Sequence, residues 1–185
     1  VAHTSFVSPP TNAAATLARL YAEAGSTAFE ALRGSFAGVV IDRRSDEALV
    51  FTDRQGSRPL FQAGSLKDGL YLAPEVKPLT RLRTAWAVAD PVAVGEFLVR
   101  GCCFGASTLY SSVRSLGQAV VLRIGQQGVR EQRHWLPGFD GSSRASQPEL
   151  LAGLDALLEQ ATRRLLAVLP ERALLLSGGV DSRLM

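Results

Sequence analysis

The sequence predicts an α+β domain followed by the opening of a second, α/β domain. Three patterns predict it. Apolar runs at strand spacing are arranged as hairpins rather than as strand–helix–strand crossovers. Helical segments with their own start and stop residues lie between the hairpins. Beyond a Gly- and Ser-rich stretch, the order becomes helix, short apolar strand, glycine turn, which is how a parallel α/β domain begins.

In chain order, Pro9-Pro10 keeps the first eleven residues extended. From Asn12 a helix is predicted, with Leu17, Leu20, Tyr21 and Ala24 on one face and Gly25 as its stop. A short second helix turns Phe29 and Leu32 inward and ends at Gly34. Ser35–Ile41 and Ala48–Thr52 form a hairpin around the charged turn 42–47, and both strands read as central because both faces are apolar. Leu70–Ala73 is a further strand. Asp90 caps a helix that has Pro91 in its first position and Gly101 at its end. Gln118–Ile124 alternates with Val120, Leu122 and Ile124 on one face, 126–128 turns, and Val129–Trp135 returns as a polar edge strand. Residues 138–147 (GFDGSSRASQ) read as a linker. Ser146 and Glu149 form a capping box, and Leu150, Leu154, Leu157, Leu158, Ala161 and Leu165 repeat at helical spacing until Pro170. Ala173–Leu176 is then a short strand.

Composition excludes several classes. The chain has 185 residues, 20 Lys plus Arg against 17 Asp plus Glu, and a net charge of +3, too small an excess to argue for nucleic acid or an anionic membrane. No uncharged apolar run approaches the ~18 residues of a membrane helix, and no basic segment leads into the polar N-terminus, so neither a membrane span nor a secretory signal is expected. The two cysteines, Cys102 and Cys103, are adjacent, have no metal-ligand spacing, and read as buried free thiols of a cytoplasmic protein. The chain starts at Val1 and stops at Met185, just past Gly178-Gly179, and reads as a piece of a longer protein.

Ser177-Gly178-Gly179-Val180-Asp181-Ser182 carries the strongest chemical signal. Two glycines after an apolar strand let the backbone approach a ligand, and a following helix aims free N–H groups at an anion. Ser177 and Ser182 add neutral donors, and Asp181 suits an anion site only by holding a cation such as Mg²⁺ against phosphates. A bare Ser-Gly-Gly is also an ordinary turn; the six residues together favour a phosphate site. The loop lacks the Gly-Lys-Ser/Thr ending of GTPase loops. It resembles the pyrophosphate loop of ATP pyrophosphatase enzymes, which split ATP into AMP and pyrophosphate.

Residues upstream narrow the resemblance. Ser35-Phe36-Ala37-Gly38 through Asp42, Asp53-Arg54-Gln55-Gly56-Ser57-Arg58-Pro59-Leu60, Ala73-Pro74-Glu75-Val76-Lys77, the stretch from Thr108-Leu109-Tyr110 to Leu116-Gly117, and His134-Trp135-Leu136-Pro137 are similar, in order, to segments of the asparagine synthetases. The resemblance implies an αββα N-terminal-nucleophile sandwich of class II glutamine amidotransferase type at 1–140, without its first part, a linker at 141–147, and the first helix, strand and pyrophosphate loop of a synthetase domain at 148–185. It implies ATP and Mg²⁺ as cofactors and a carboxylate-bearing amino acid or peptide as substrate. Leu176 would meet the adenine end of ATP, Ser177, Gly178, Gly179, Val180, Asp181 and Ser182 would cradle pyrophosphate, and Asp181 would hold Mg²⁺. No nucleic-acid or membrane partner is expected, and a homodimer stays open.

Departures from the family pattern bear on glutamine use. Family members that use glutamine attack it with an N-terminal cysteine whose own α-amine is the base; Cys102 and Cys103 lie deep in the chain. The glutamine-binding acid is expected near Asn12 or Ala13, where no acid stands, and a Gly-Ser-Asp signature is missing. The resemblance then points to relatives with degenerate glutaminase domains, β-lactam synthetases and lasso-peptide cyclases. From another class, a non-catalytic glutaminase-like scaffold that binds a partner stays open. Asp53, Arg54 and Arg58 read as a structural ion-pair and turn cluster ahead of a path to the synthetase site, and Glu75 and Lys77 likewise. His134 reads as a half-exposed strand residue, Arg163-Arg164 as a solvated helix face, and Trp86 and Trp135 as packing.

Overall fold

The computed structural model describes residues 12–139, 141, 143–168, 171, 173 and 177–184. They fall into two compact units, Ala18–Pro137 and a second one within 12–17 and 138–184.

Helix α1 (Ala13–Ala24) starts where Asn12 Oδ1 accepts the Ala15 N–H at 2.9 Å, and stops at Gly25 in the left-handed region. A 3₁₀ turn (Gly25–Thr27) leads into α2 (Ala28–Ala31), which buries Phe29 completely. Strands β1 (Ala37–Asp42), β2 (Glu47–Thr52), β6 (Val120–Gly125) and β7 (Gly128–Arg133) form one antiparallel sheet in the order β1-β2-β6-β7. Strands β3 (Phe61–Ser65), β4 (Gly69–Ala73) and β5 (Val113–Ser115) form a second, in the order β4-β3-β5.

Alternation of side chains distributes the core. On one face of the first sheet Phe51 stacks on Phe29 with ring centroids 4.5 Å apart, and Phe36 and Tyr21 join the same aromatic layer. On the other face Val50 and Leu122 pack with Leu116 and with Leu60, Leu70 and Leu72 from around the second sheet. The far face of the second sheet holds Ala63, Ala73 and Val113 against Leu79 of α3 (Val76–Leu82) and Trp86 of a 3₁₀ turn (Thr84–Trp86).

The structure corrects the hairpin reading in one strand. β2 is central and buried, but β1 is an edge: Val39 is 53% and Ile41 73% exposed. An apolar run by itself does not reveal how many neighbours a strand has. β3, β5 and α3 are absent from the sequence reading. Gly64 and Ser65 dilute the pattern of β3, β5 is three residues long, and Pro78 disguises a helix that tolerates it because it stands in the first turn. The second helix ends at Ala31, so Leu32 is extended rather than helical.

Helix α4 (Pro91–Arg100) is as predicted, with Asp90 Oδ1 accepting from the Val92 and Ala93 N–H groups and Gly101 at φ 74° donating to the Phe97 carbonyl. The predicted β6–β7 hairpin is present, with β7 at the edge. The cysteines are not buried: Cys102 is exposed and Cys103 half-buried, because the chain leaves α4 along the surface. In α5 (Gln147–Val168) the Ser146 N–H and hydroxyl both donate to Glu149 Oε2 at 2.7 Å, and Leu150, Leu154, Leu157 and Leu165 are exposed. Of the predicted strand Ala173–Leu176, residues 174–176 lie outside the described residues.

Candidate functional site

The loop that begins at Ser177 turns sharply at Gly178, whose φ of 78° suits glycine, and enters the short helix α6 (Val180–Leu184). Its two hydroxyls converge: Ser177 Oγ and Ser182 Oγ lie 3.1 Å apart. The Gly179 carbonyl accepts from the Ser182 hydroxyl at 3.1 Å and from the Arg183 N–H at 3.2 Å, while the Gly179 N–H points to Ser177 Oγ at 3.4 Å. Ser177, Gly178, Gly179, Val180 and Asp181 are exposed and Ser182 is half-buried. The structure thus brings together every loop residue singled out from the sequence except Leu176, which lies outside the described residues. Asp181 stands in the first turn of α6, and its side chain has no hydrogen-bond or ion-pair partner among the described residues. Chemically the loop offers hydroxyls, backbone donors and a carboxylate that is uncommitted among the described residues.

The Asp53 turn is a different kind of site. Asp53 is buried and its carboxylate is surrounded by donors. The Phe36 and Gln55 N–H groups bond at 3.1 and 2.9 Å, the Ser57 N–H reaches both oxygens, and the Ser57 hydroxyl bonds at 2.6 Å. Burial pushes its pKa up, but the hydrogen bonds from Ser57, Gln55 and Phe36 together outweigh burial and hold it below the usual carboxylate value. The Asp53 backbone continues the network, since its carbonyl accepts from Ala119 N at 2.8 Å and from Gly56 N at 3.0 Å.

Neighbouring groups tie the end of β7 to this turn. His134 Nε2 lies 2.9 Å from the Thr52 carbonyl, which can only accept, so that nitrogen carries the proton. The Arg54 guanidinium lies 5.1 Å above the Trp135 ring and donates to the Glu30 carbonyl at 3.0 Å. Burial, and then Arg33, lower the Arg54 pKa. Asp53 therefore meets backbone amides and a serine, not Arg54 or Arg58, and the expected ion pair is replaced by a hydrogen-bonded turn. Arg58 is exposed on a groove of about 600 Å³ lined by Phe36, Val39, Leu60, Leu72 and Pro74. Glu75 stands at the start of α3 without a side-chain cap bond, Lys77 is exposed, and Arg163 pairs with Glu159 at 2.6 Å on the exposed face of α5.

Sequence reasoning missed Ser57 and Ala119. The hydroxyl of Ser57, four residues after an aspartate in a Gly-containing turn, was open to an Asx/ST-turn reading. Nothing in the sequence marks Ala119, a fully buried residue held at φ 54°.

Strands β1 to β7, the Asp53 turn and the His134–Trp135 exit coincide with a known family: residues 10–135 match the glutamine amidotransferase domain. The chain belongs to the glutamine amidotransferase domain family. No curated protein matches the chain. The matched span ends at Trp135, so the amidotransferase domain contains the Asp53 turn while the Ser177–Ser182 loop lies beyond it. No helix among the described residues is long and apolar enough to cross a membrane.

An N-terminal cysteine nucleophile of the kind the resemblance implies would need its own free α-amine as base. Cys102 and Cys103 are internal, so their amines are amides. Asn12, at the position where the resemblance puts a glutamine-binding acid, is neutral and uses its side-chain oxygen to cap α1.

Proposed function

We propose that this amidotransferase-family chain belongs to an asparagine-synthetase-like ligase that makes an amide bond at the expense of ATP and does not hydrolyse glutamine. The first 140 residues are read as an αββα N-terminal-nucleophile sandwich and the residues from 148 as the start of an ATP pyrophosphatase domain. The observation that carries the reading is the Ser177–Ser182 loop, with its left-handed glycine, converging hydroxyls and, at the start of a helix, a carboxylate unpaired among the described residues.

In the proposed reaction a substrate carboxylate oxygen bonds to the α-phosphorus of ATP and the bond to the β-phosphate oxygen breaks, giving an acyl-adenylate and pyrophosphate. An amine or ammonia nitrogen then bonds to the acyl carbon and AMP leaves. The loop's part is to bind the departing pyrophosphate through the Ser177 and Ser182 hydroxyls and the backbone N–H groups at Gly179 and Val180. Among the described residues no group of three or more His, Cys, Asp or Glu side chains could hold a metal. A single carboxylate, Asp181, fits a Mg²⁺ held mainly by phosphates and water. Bound there, Mg²⁺ would supply charge neutralisation of the phosphates.

The test is pyrophosphate exchange into ATP and glutamate release, both measured on the complete gene product. Asp181→Ala is expected to lower exchange by about 10²-fold, because the Mg²⁺ that would neutralise the phosphates loses its carboxylate ligand, and glutamate release from glutamine is expected to be nil. Exchange at the wild-type rate in Asp181→Ala would remove the loop's assigned role. Glutamate release would remove the assignment of an inactive glutaminase.

A further inference from the structure

We propose that the surface turn after α4 is a two-thiol site for a monosubstituted trivalent arsenical, a soft centre that takes two thiolates at once. Cys102 and Cys103 are both free, the first exposed and the second half-buried. They sit between two left-handed glycines, Gly101 at φ 74° and Gly105 at φ 62°, which turn the chain back on itself at the surface.

Adjacency decides which bridge the pair can form. Neighbouring Cα atoms stand about 3.8 Å apart across a trans peptide, shorter than the roughly 4.4–6.8 Å a disulfide prefers. A direct disulfide is therefore strained, and the two thiols stay available. A larger atom inserted between the sulfurs lengthens the bridge and relieves that strain. Cys103 Sγ gives up only a weak contact, 3.8 Å to the Ala93 carbonyl, to turn outward. Exposed apolar side chains lie within four residues of the thiols in sequence, Leu98 at 78%, Val99 at 79% and Phe104 at 51%, the last with the Arg100 guanidinium 5.9 Å from its ring centroid.

The reaction balances without an oxidant. R–As=O and two thiols give R–As(S–)₂ and water; two As–S bonds form, both S–H bonds and the As=O bond break, and arsenic stays trivalent. The sequence holds no other cysteine, so the stoichiometry is one arsenical per chain.

Intact-mass spectrometry of the reduced 185-residue chain with phenylarsine oxide tests this site. The expected result is one adduct per chain that resists excess monothiol and is removed by ethanedithiol. Cys102→Ser and Cys103→Ser should each weaken capture at least tenfold, while circular dichroism shows an unchanged fold. Capture as tight in either single variant as in the wild-type chain, or no adduct on the wild-type chain, would overturn the proposal. Neither outcome bears on the ligase reading, because the turn contributes nothing to the Ser177–Ser182 loop's proposed role.

Discussion

At the scale of single residues, Asp53 sets the largest stake. Its carboxylate meets four donors in the interior, from Phe36, Gln55 and Ser57. Removing the acceptor would strand buried N–H groups, so Asp53→Ala is expected to cost about 3 kcal/mol or more. Asp53→Asn keeps the shape but loses charge-assisted bonds and should cost about 2 kcal/mol. Hydrogen bonds hold two aspartates low: Asp53 lies below its ordinary value, and hydrogen bonds from the Arg44 side chain and backbone hold Asp42 at about 2. A lowered folded pKa means the unfolded chain takes up the proton first as pH falls. The stabilisation is therefore complete above the unfolded value of about 3.9 and is lost as pH falls through the folded values. Urea unfolding between pH 6 and pH 2.5 should show a steeper acid loss for the wild-type chain than for Asp53→Asn. Equal slopes would mean that Asp53 is not a stabilising carboxylate.

At the scale of elements, the β1–β2 pair shows how one glycine serves a neighbour's side chain. Gly38 lies opposite Phe51, and a Cβ on it would come within 2.6 Å of the ring tip. The ring cannot retreat, because Phe51 is buried and stacked on Phe29 at 4.5 Å. Gly38→Ala is expected to lose about 1–3 kcal/mol by overpacking, less roughly 0.4–1 kcal/mol recovered from a stiffer unfolded chain. An unchanged thermal midpoint would rule that packing account out. This pair also marks where sequence reasoning stops. Local chemistry is legible in order: Asn12, Asp90 with Pro91, Gly101, and Ser146 with Glu149 each act on backbone within a turn of themselves. Strand neighbours are set by residues far away in the chain. β1 could thus be read as a strand but not as an edge, and β3 gained its pairing only from β4 and β5. At the candidate loop the same limit holds: Gly178 and the serine spacing predict the turn, while the closeness of Ser177 and Ser182 emerges only once α6 begins.

At the scale of the whole molecule, the amidotransferase match ends at Trp135, and the loop proposed to hold pyrophosphate begins at Ser177. The described residues between Gly138 and Ser146 carry neither helix nor strand, and Arg144 is exposed there. A protease must draw an extended stretch of backbone into its cleft, and such a segment yields it at little cost. Arg43 and Arg44 are also exposed, but they sit in a tight hairpin turn where the Arg44 N–H is held to Asp42 at 2.9 Å. Arg130 and Arg133 lie in a paired strand. Limited trypsin digestion is therefore expected to cut after Arg144 before it cuts at any basic residue of the unit Ala18–Pro137. Mass spectrometry of the first fragments decides the matter, and a first cut at Arg43, Arg44 or Arg19 would contradict it. The same cut offers a route to function in the complete gene product. If it abolishes pyrophosphate exchange while the amidotransferase domain keeps its urea midpoint, the loop's chemistry depends on covalent continuity with that domain rather than on its stability.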